Sequence, residues 1–279
     1  MCGRYILVTK VTEIEKRFNV QASPDVHKFF IPDVNIGPGG QGLVITDDRP
    51  SELQMMTFGF TPFWSKKRMY IFNARSEGDK NKENDPRYSG AKEIFKKPMF
   101  RHAIRSKRCL IIADGFLEGP EKEKLSKPYV VYLKNKVRPF AFAGLWDEWV
   151  NKETGEVIQG FAIITTVSNS VTQAIKHHRS PVIITPGVES QWLDSGLELA
   201  EVLSFLSPFP GDQMNAYPVD PEIKHPRAKG IHLIDPIGER IFPEHDYEFH
   251  QEMKLIGMGM TTGRRSRLEG EEKDDKSVS

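Results

Sequence analysis

The sequence predicts an α+β fold: a single domain with a curved, largely antiparallel, barrel-like β-sheet flanked by helices. Three observations predict it. Many short apolar segments are rich in β-branched and aromatic residues and are bounded by turn formers. Helical periodicity is confined to a few stretches. The strands do not alternate regularly with long helices, which argues against a doubly wound parallel sheet.

The elements follow in chain order. "RYILVT" at 4–9 reads as a first strand, and "KVTEIEKRFNV" at 10–20 carries apolar residues at helical spacing. "LVITDD", "ELQMMTFGF", "RCLIIADGF", "YVVYLKN", "FAFAGLWDEW" and "GFAIITTVS" read as further strands. Helices are expected over 88–107, 170–176, "ESQWLDS" and "LAEVLSFL". The polar segment "EGDKNKENDPRYSG" is rich in turn formers, so 78–91 reads as a surface insertion. The domain is expected to span 1–257, followed by a disordered polar tail at 258–279.

A chain of 279 residues, 38% hydrophobic and 28% charged, can bury a large core. No apolar run is long enough to span a bilayer, and the start lacks the regions of a signal peptide. A cytoplasmic protein with no membrane partner is expected. Only Cys2 and Cys109 are present, with no CxxC pair, which excludes a cysteine-rich zinc site. Cys109 sits in an apolar strand and reads as core. His245 and His250 lack supporting ligands, and "GPGGQG" lacks the ending of a P-loop, so neither a metal nor a cofactor is expected.

Net charge is +1, but it is unevenly spread. The last twelve residues hold five acids and two lysines, while "KKPMFRHAIRSKR" at 96–108 holds six Lys or Arg and no acid. "SKKR" follows Trp64 directly. Such runs are usually solvated faces. Basic clusters beside aromatics also hold single-stranded nucleic acid, through phosphate contacts and base stacking.

The chain opens "MCGR". Cys2 could be an ordinary buried thiol. Alternatively, removal of Met1 leaves Cys2 first, with a thiol and an α-amine on adjacent carbons. An α-amine ordinarily titrates at roughly 7.7–8.0, so much of it is neutral near neutral pH. The thiolate is a second strong nucleophile. Such a terminus condenses with an aldehyde: the amine forms an imine, and sulfur closes a thiazolidine.

Four blocks place polar groups at strand edges: "NIGPGGQ" at 35–41, "FNARSE" at 72–77, "ADGFLEG" at 113–119 and "HHRSPVI" at 177–183. Asn73 and Arg75 would share one strand face. Asn73 is a loop asparagine or an anchor for the terminal residue. Arg75 is a surface charge or a phosphate clamp. Glu77 is a supporting partner or merely exposed. Glu118 is an exposed carboxylate or, beside apolar residues, an acid or base near neutrality. His177 is structural or a proton carrier. Arg179 binds phosphate or caps a helix.

Together with "MCGR", "RCLIIADGFLE", "KPYVVYL" and "FAFAGLWDEW", these blocks resemble the SOS-response-associated peptidase (SRAP) family, which processes abasic sites in DNA. The resemblance runs from Met1 to about residue 230. It implies a DNA-damage protein that binds single-stranded DNA. Its mature N-terminal cysteine forms a thiazolidine with the ring-opened aldehyde of an abasic site. Carried over, Cys2 is the nucleophile, Asn73 positions it, and Glu118 is the acid or base in imine formation and Met1 removal. His177 moves a proton at the sugar. Arg4 and Arg75 hold phosphates, and Pro38 and Trp64 press on bases. A monomer is expected, nucleoid-associated when bound to DNA. The chain departs from the family pattern at "GFLEG", where Tyr and Trp are usual around the glutamate. It also has Ser180 for a usual methionine and a glycine within "NIGPGGQ" where threonine is common. Two other readings stay open: a cysteine peptidase acting on proteins, and a non-enzymatic single-stranded DNA-binding module.

Overall fold

The computed structural model describes residues 2–244. The tail expected at 258–279, together with His245 and His250, lies outside the described residues.

Among the described residues the chain runs β1 (Arg4–Leu7), α1 (Val11–Phe18), β2 (Gln21–Ala22), α2 (Pro24–Phe29), β3 (Asp33–Ile36), β4 (Gln41–Thr46), β5 (Glu52–Phe58) and β6 (Asn73–Arg75). It continues through α3 (Ala103–Ser106), β7 (Arg108–Ala113), β8 (Gly115–Glu118), β9 (Tyr129–Leu133), β10 (Phe140–Val150) and β11 (Val157–Val167). The last elements are α4 (Ser170–Ala174), β12 (Arg179–Pro181), β13 (Ile183–Ile184), α5 (Glu189–Leu193), α6 (Leu199–Ser204) and β14 (Met214–Pro218).

The expected barrel is present. Strands β11, β10, β7, β4 and β5 pair antiparallel in that order. A parallel pairing of β5 with β11 closes the ring, matching Thr57 with Gly160 and Phe58 with Phe161. Closure demands close backbone approach. A Cβ on Gly160 would lie 2.4 Å from the Gly59 carbonyl oxygen, so only glycine fits there. Inside the ring Phe58 and Phe161 stack, with ring centroids 5.1 Å apart.

A second, wholly antiparallel sheet, ordered β14-β9-β8-β1-β3, lies beside the barrel. Its strands alternate between two cores, as the two-residue period of a strand requires. On β1, Tyr5 and Leu7 join the main core, whereas Ile6 packs with Leu117, Val130 and Tyr217 on the other face.

The structure departs from two of the sequence expectations. "RCLIIADGF" is not one strand: it divides into β7 of the barrel and β8 of the second sheet, with Asp114 at the corner. The fully buried Asp114 carboxylate accepts from the Val8 and Thr9 amides at 2.6 and 2.8 Å and from the Thr9 hydroxyl at 2.5 Å. The corner thus ties β1 to the β7–β8 junction. The helix expected over 88–107 shrinks to a 3-10 turn at Ile94–Lys96 and α3. Pro98 explains the loss, because it has no amide hydrogen and pushes Lys97 into extended backbone, ψ 122°. The other expected helices form, α1 ending at Asn19 in the left-handed region, φ 53°. Helix α2, which the sequence patterning does not predict, begins at Pro24, a residue preorganised for a first turn.

Segment 78–91 forms turns without a strand or helix, and its Asn81 is buried. Cys109 is fully buried on β7, as expected of a core residue. No helix among the described residues is long and apolar enough to cross a membrane.

Candidate active site at the chain terminus

Four elements converge at the start of the chain. Cys2 lies just before β1. Glu118 ends β8, which pairs with β1 through Arg4 opposite Leu117. Asn73 opens β6, held parallel to β11 with Asn73 opposite Ile163. His177 follows α4, and its amide donates to the Thr172 carbonyl at 2.8 Å. Asn169 caps α4 and accepts from the Thr172 amide at 3.1 Å.

The contacts are specific. Asn73 Nδ2 donates to the Cys2 carbonyl at 2.9 Å. Asn73 Oδ1 is buried with no hydrogen-bond partner among the described residues. His177 Nε2 lies 3.4 Å from Glu118 Oε2, and both side chains are buried. His177 Nδ1 lies 2.8 Å from the Gly119 carbonyl oxygen. A carbonyl can only accept, so Nδ1 carries the hydrogen and Nε2 of the neutral ring is an acceptor facing Glu118.

Burial decides the protonation states. It pushes the Glu118 carboxyl up to about 7 and the His177 imidazole down to about 3. The ion pair that the 3.4 Å separation would permit therefore does not form at neutral pH: the ring stays neutral and the carboxyl is poised to give or take a proton. The Cys2 thiol is pushed well up, first by burial and then by the Glu118 charge. It is a protonated thiol that needs a base.

Gly3, Arg4, Pro38, Phe72, Glu118 and His177 line a half-open cleft of about 530 Å³. Arg4 is braced by Nη1 bonds to Asn35 Oδ1 at 2.8 Å and the Ile223 carbonyl at 3.2 Å. Pro38 is exposed at the cleft edge. Trp64 is half-exposed on the hairpin leading to Phe72, beside the exposed Phe63 and Tyr70 and the run "SKKR". Trp64 does not line the cleft. Arg75 is engaged by the 78–91 segment: Nη1 donates to the Asn81 carbonyl at 3.0 Å and Nη2 to Asn84 Oδ1 at 2.6 Å.

Arg179 is placed inside the protein. It is 1% exposed, and its Nη2 donates to Glu77 Oε2 at 2.9 Å and the Thr165 carbonyl at 2.8 Å. It caps no helix. Its Nε and Nη1 have no hydrogen-bond partner among the described residues.

Both departures near the site acquire reasons. Ser180 shares a 2.8 Å hydroxyl bond with Thr172 and accepts from the Asn169 amide at 3.2 Å, joining the network that caps α4. Gly119 is crossed by the following turn. A Cβ there would fall 1.9 Å from the Lys124 carbonyl oxygen, so no side chain fits while that turn holds its place. Gly119→Ala is expected to displace the 120–127 turn and shift the His177 partner. Thermal unfolding at a Tm lowered by several degrees checks this; an unchanged Tm contradicts it.

Some site residues are not legible in the sequence. The "PEKEK" stretch reads as solvated, yet Glu121 and Lys124 line the cleft, and Glu121 lies 3.4 Å from His178. Glu77, expected to support the site or to be exposed, is fully buried against Arg179. Neither role has a local signal, because both arise from contacts distant in sequence. Among the described residues no group of three or more metal-ligating side chains occurs.

Comparison with known proteins gives the family. The family model described as SOS response associated peptidase (SRAP) matches residues 1–226. The chain is 32% identical over 242 residues to the abasic site processing protein YoqW of Bacillus subtilis (strain 168), covering 84% of this chain and 99% of that one. It is 28% identical over 197 residues to the abasic site processing protein HMCES of Gallus gallus, covering 58% of this chain and 54% of that one. A crystal structure of a protein from Bacteroides thetaiotaomicron superposes with a TM-score of 0.70 at 28% identity, covering 84% of this chain and 99% of that one.

Proposed function

The chain belongs to the SOS response associated peptidase family, and from that premise we propose that it captures abasic sites in single-stranded DNA through Cys2 after Met1 is removed. The observation that carries the reading is that Asn73 bonds the Cys2 carbonyl while Glu118, whose charge acts on the Cys2 thiol, faces His177.

Each residue has a chemical task. The neutral His177 Nε2 takes the C1′ hydroxyl proton of the closed abasic sugar, the C1′–O4′ bond breaks, and the proton is returned to O4′, which leaves the open-chain aldehyde. The Cys2 α-amine then attacks the aldehyde carbon. A proton shifts from nitrogen to oxygen to give the carbinolamine, protonated Glu118 gives its proton to the departing hydroxyl, water leaves, and an iminium that keeps one amine hydrogen forms. Glu118, now a carboxylate, takes the thiol proton. Sulfur adds to the iminium carbon, the C=N electron pair returns to nitrogen, which keeps its one hydrogen, and the thiazolidine closes. Two nucleophilic bonds form and one water is lost overall. Asn73 Oδ1, an acceptor without a partner among the described residues, would orient the α-amine.

Phosphates are held by Arg4 and Arg75, while Arg179, buried against Glu77, braces the segment that carries Arg75. Binding to phosphate would require Arg75 to exchange its 78–91 partners. Trp64 and Pro38 supply faces for bases.

The test uses a single-stranded oligonucleotide with one abasic site, and the adduct is resolved on a denaturing gel. The native protein is expected to form the adduct and Cys2→Ala none. An intact strand should yield none with either. Cleavage of peptides without DNA, lost in Cys2→Ala, would favour a peptidase. Salt-sensitive binding that ignores both the lesion and Cys2 would favour a simple binding module.

A further inference from the structure

We infer that a second cleft, adjoining the first across Arg4 and Pro38, is a nucleobase subsite that favours guanine next to the lesion; this inference rests on the capture reading above.

The cleft measures about 330 Å³ and is lined by Asp33, Asn35, Gln41 and Lys229 among others. That size lies at the lower end of ligand sites, roughly 300–1,000 Å³, and suits one planar group. Arg4 and Pro38 line both clefts, so a strand leaving the lesion past Pro38 enters this one. Arg4 and Asn35 form a fixed partition. Asn35 Nδ2 is used up on the Ile223 and His225 carbonyls, each at 3.0 Å, and its Oδ1 accepts from Arg4. Asn35 therefore has little left for a ligand.

Asp33 is different. Its Oδ1 accepts the Asn35 amide at 2.8 Å, and among the described residues its Oδ2 has the loose charge contact of Lys229 at 3.8 Å and no hydrogen bond. A carboxylate offers about four lone-pair directions, so most of this group's capacity remains open. Next to a phosphodiester a carboxylate is repelled, unless it accepts hydrogens from the base. Gln41 donates Nε2 to Thr57 Oγ1 at 3.3 Å, which leaves its carbonyl oxygen as a second acceptor. The largely exposed Lys229 can take the phosphate instead.

A cleft whose lining offers the Asp33 carboxylate and the Gln41 carbonyl oxygen as acceptors selects donors. On a single strand the Watson–Crick edge is free to be read. Guanine presents N1–H and N2–H side by side, the spacing of the two oxygens of one carboxylate. Adenine and cytosine offer one amino group, and thymine offers only its N3–H between two carbonyls.

The experiment measures adduct formation rates on single-stranded abasic oligonucleotides with G, A, C, T or inosine at each neighbouring position in turn. Guanine is expected to exceed thymine by about fivefold or more at one neighbour and not the other, with inosine falling because it lacks the N2 amino group. Asp33→Asn keeps the acceptor for the Asn35 amide but replaces the second oxygen with a donor, and should abolish the preference. Equal rates for all bases, or a guanine preference that survives Asp33→Asn, overturns the subsite. Absence of adduct with every oligonucleotide overturns the capture reading itself.

Discussion

Glu118→Gln is expected to slow covalent capture by roughly 10²–10⁴-fold, the range for loss of a general acid–base group. Glutamine matches the shape of the protonated carboxyl, so the fold should persist. The pH profile carries the sharper result. Glu118 must be protonated to expel water, and that form is lost as pH rises through about 7. The α-amine must be neutral to attack, and that form is lost as pH falls below its ordinary value of roughly 7.7–8.0. The native rate should be a bell with its top between these values. Glu118→Gln should lose the alkaline limb and keep the acidic one. Retention of both limbs would show that another group supplies the proton. A stability effect accompanies it. Burial raises the folded-state value of Glu118 above its ordinary 4.5, so folding favours the protonated form. Its contribution is complete below that ordinary value and declines as pH rises through about 7. Glu118→Gln should remove this part of the decline.

Arg179→Met is expected to cost about 3–5 kcal/mol of stability. Glu77 is fully buried, and Arg179 is its nearest charge, at 2.9 Å. Burial pushes the Glu77 carboxyl up, but the Arg179 charge and hydrogen bond bring it to a net position below the ordinary range. The Lys92 ammonium at 3.7 Å adds a weaker attraction. Removing the guanidinium leaves a carboxylate inside with too little compensation. Glu77→Leu combined with Arg179→Met should recover much of the loss, because an apolar pair needs no partner. Urea unfolding of the two single variants and the double variant measures the coupling. A loss under about 0.5 kcal/mol for Arg179→Met would mean the pair is incidental. The pair also joins the end of the Asn73 segment to the strand after His177, so its loss should loosen the site.

The strands that build the barrel are legible because their apolar runs are local. β10 and β11 each carry an unbroken pattern that one sheet can absorb. Closure is not, since it depends on Gly160 meeting the Gly59 backbone in space. "RCLIIADGF" illustrates the limit: its apolar run is continuous, and only the three bonds to Asp114 reveal a corner between two sheets. Over 88–107 the basic and apolar spacing suggests one helix, while the backbone obeys Pro98. At the site, residue types are readable in "FNARSE", "ADGFLEG" and "HHRSPVI". Their partners are not. Nothing near Glu118 in sequence announces His177 at 3.4 Å. Arg179, read from sequence as a phosphate binder or a helix cap, is buried because Glu77, distant along the chain, meets it inside. Gly119, a departure from the bulky residue usual there, is the space through which the next turn passes.

The central claim is that Cys2 becomes the first residue and reacts through both amine and sulfur. Intact-protein mass spectrometry before and after exposure to abasic single-stranded DNA tests it most directly. The account predicts a chain lacking Met1, then an adduct equal to protein plus DNA less one water, located on the peptide that begins at Cys2. A chain that retains Met1 and forms no adduct, or an adduct located on any other residue, would contradict it.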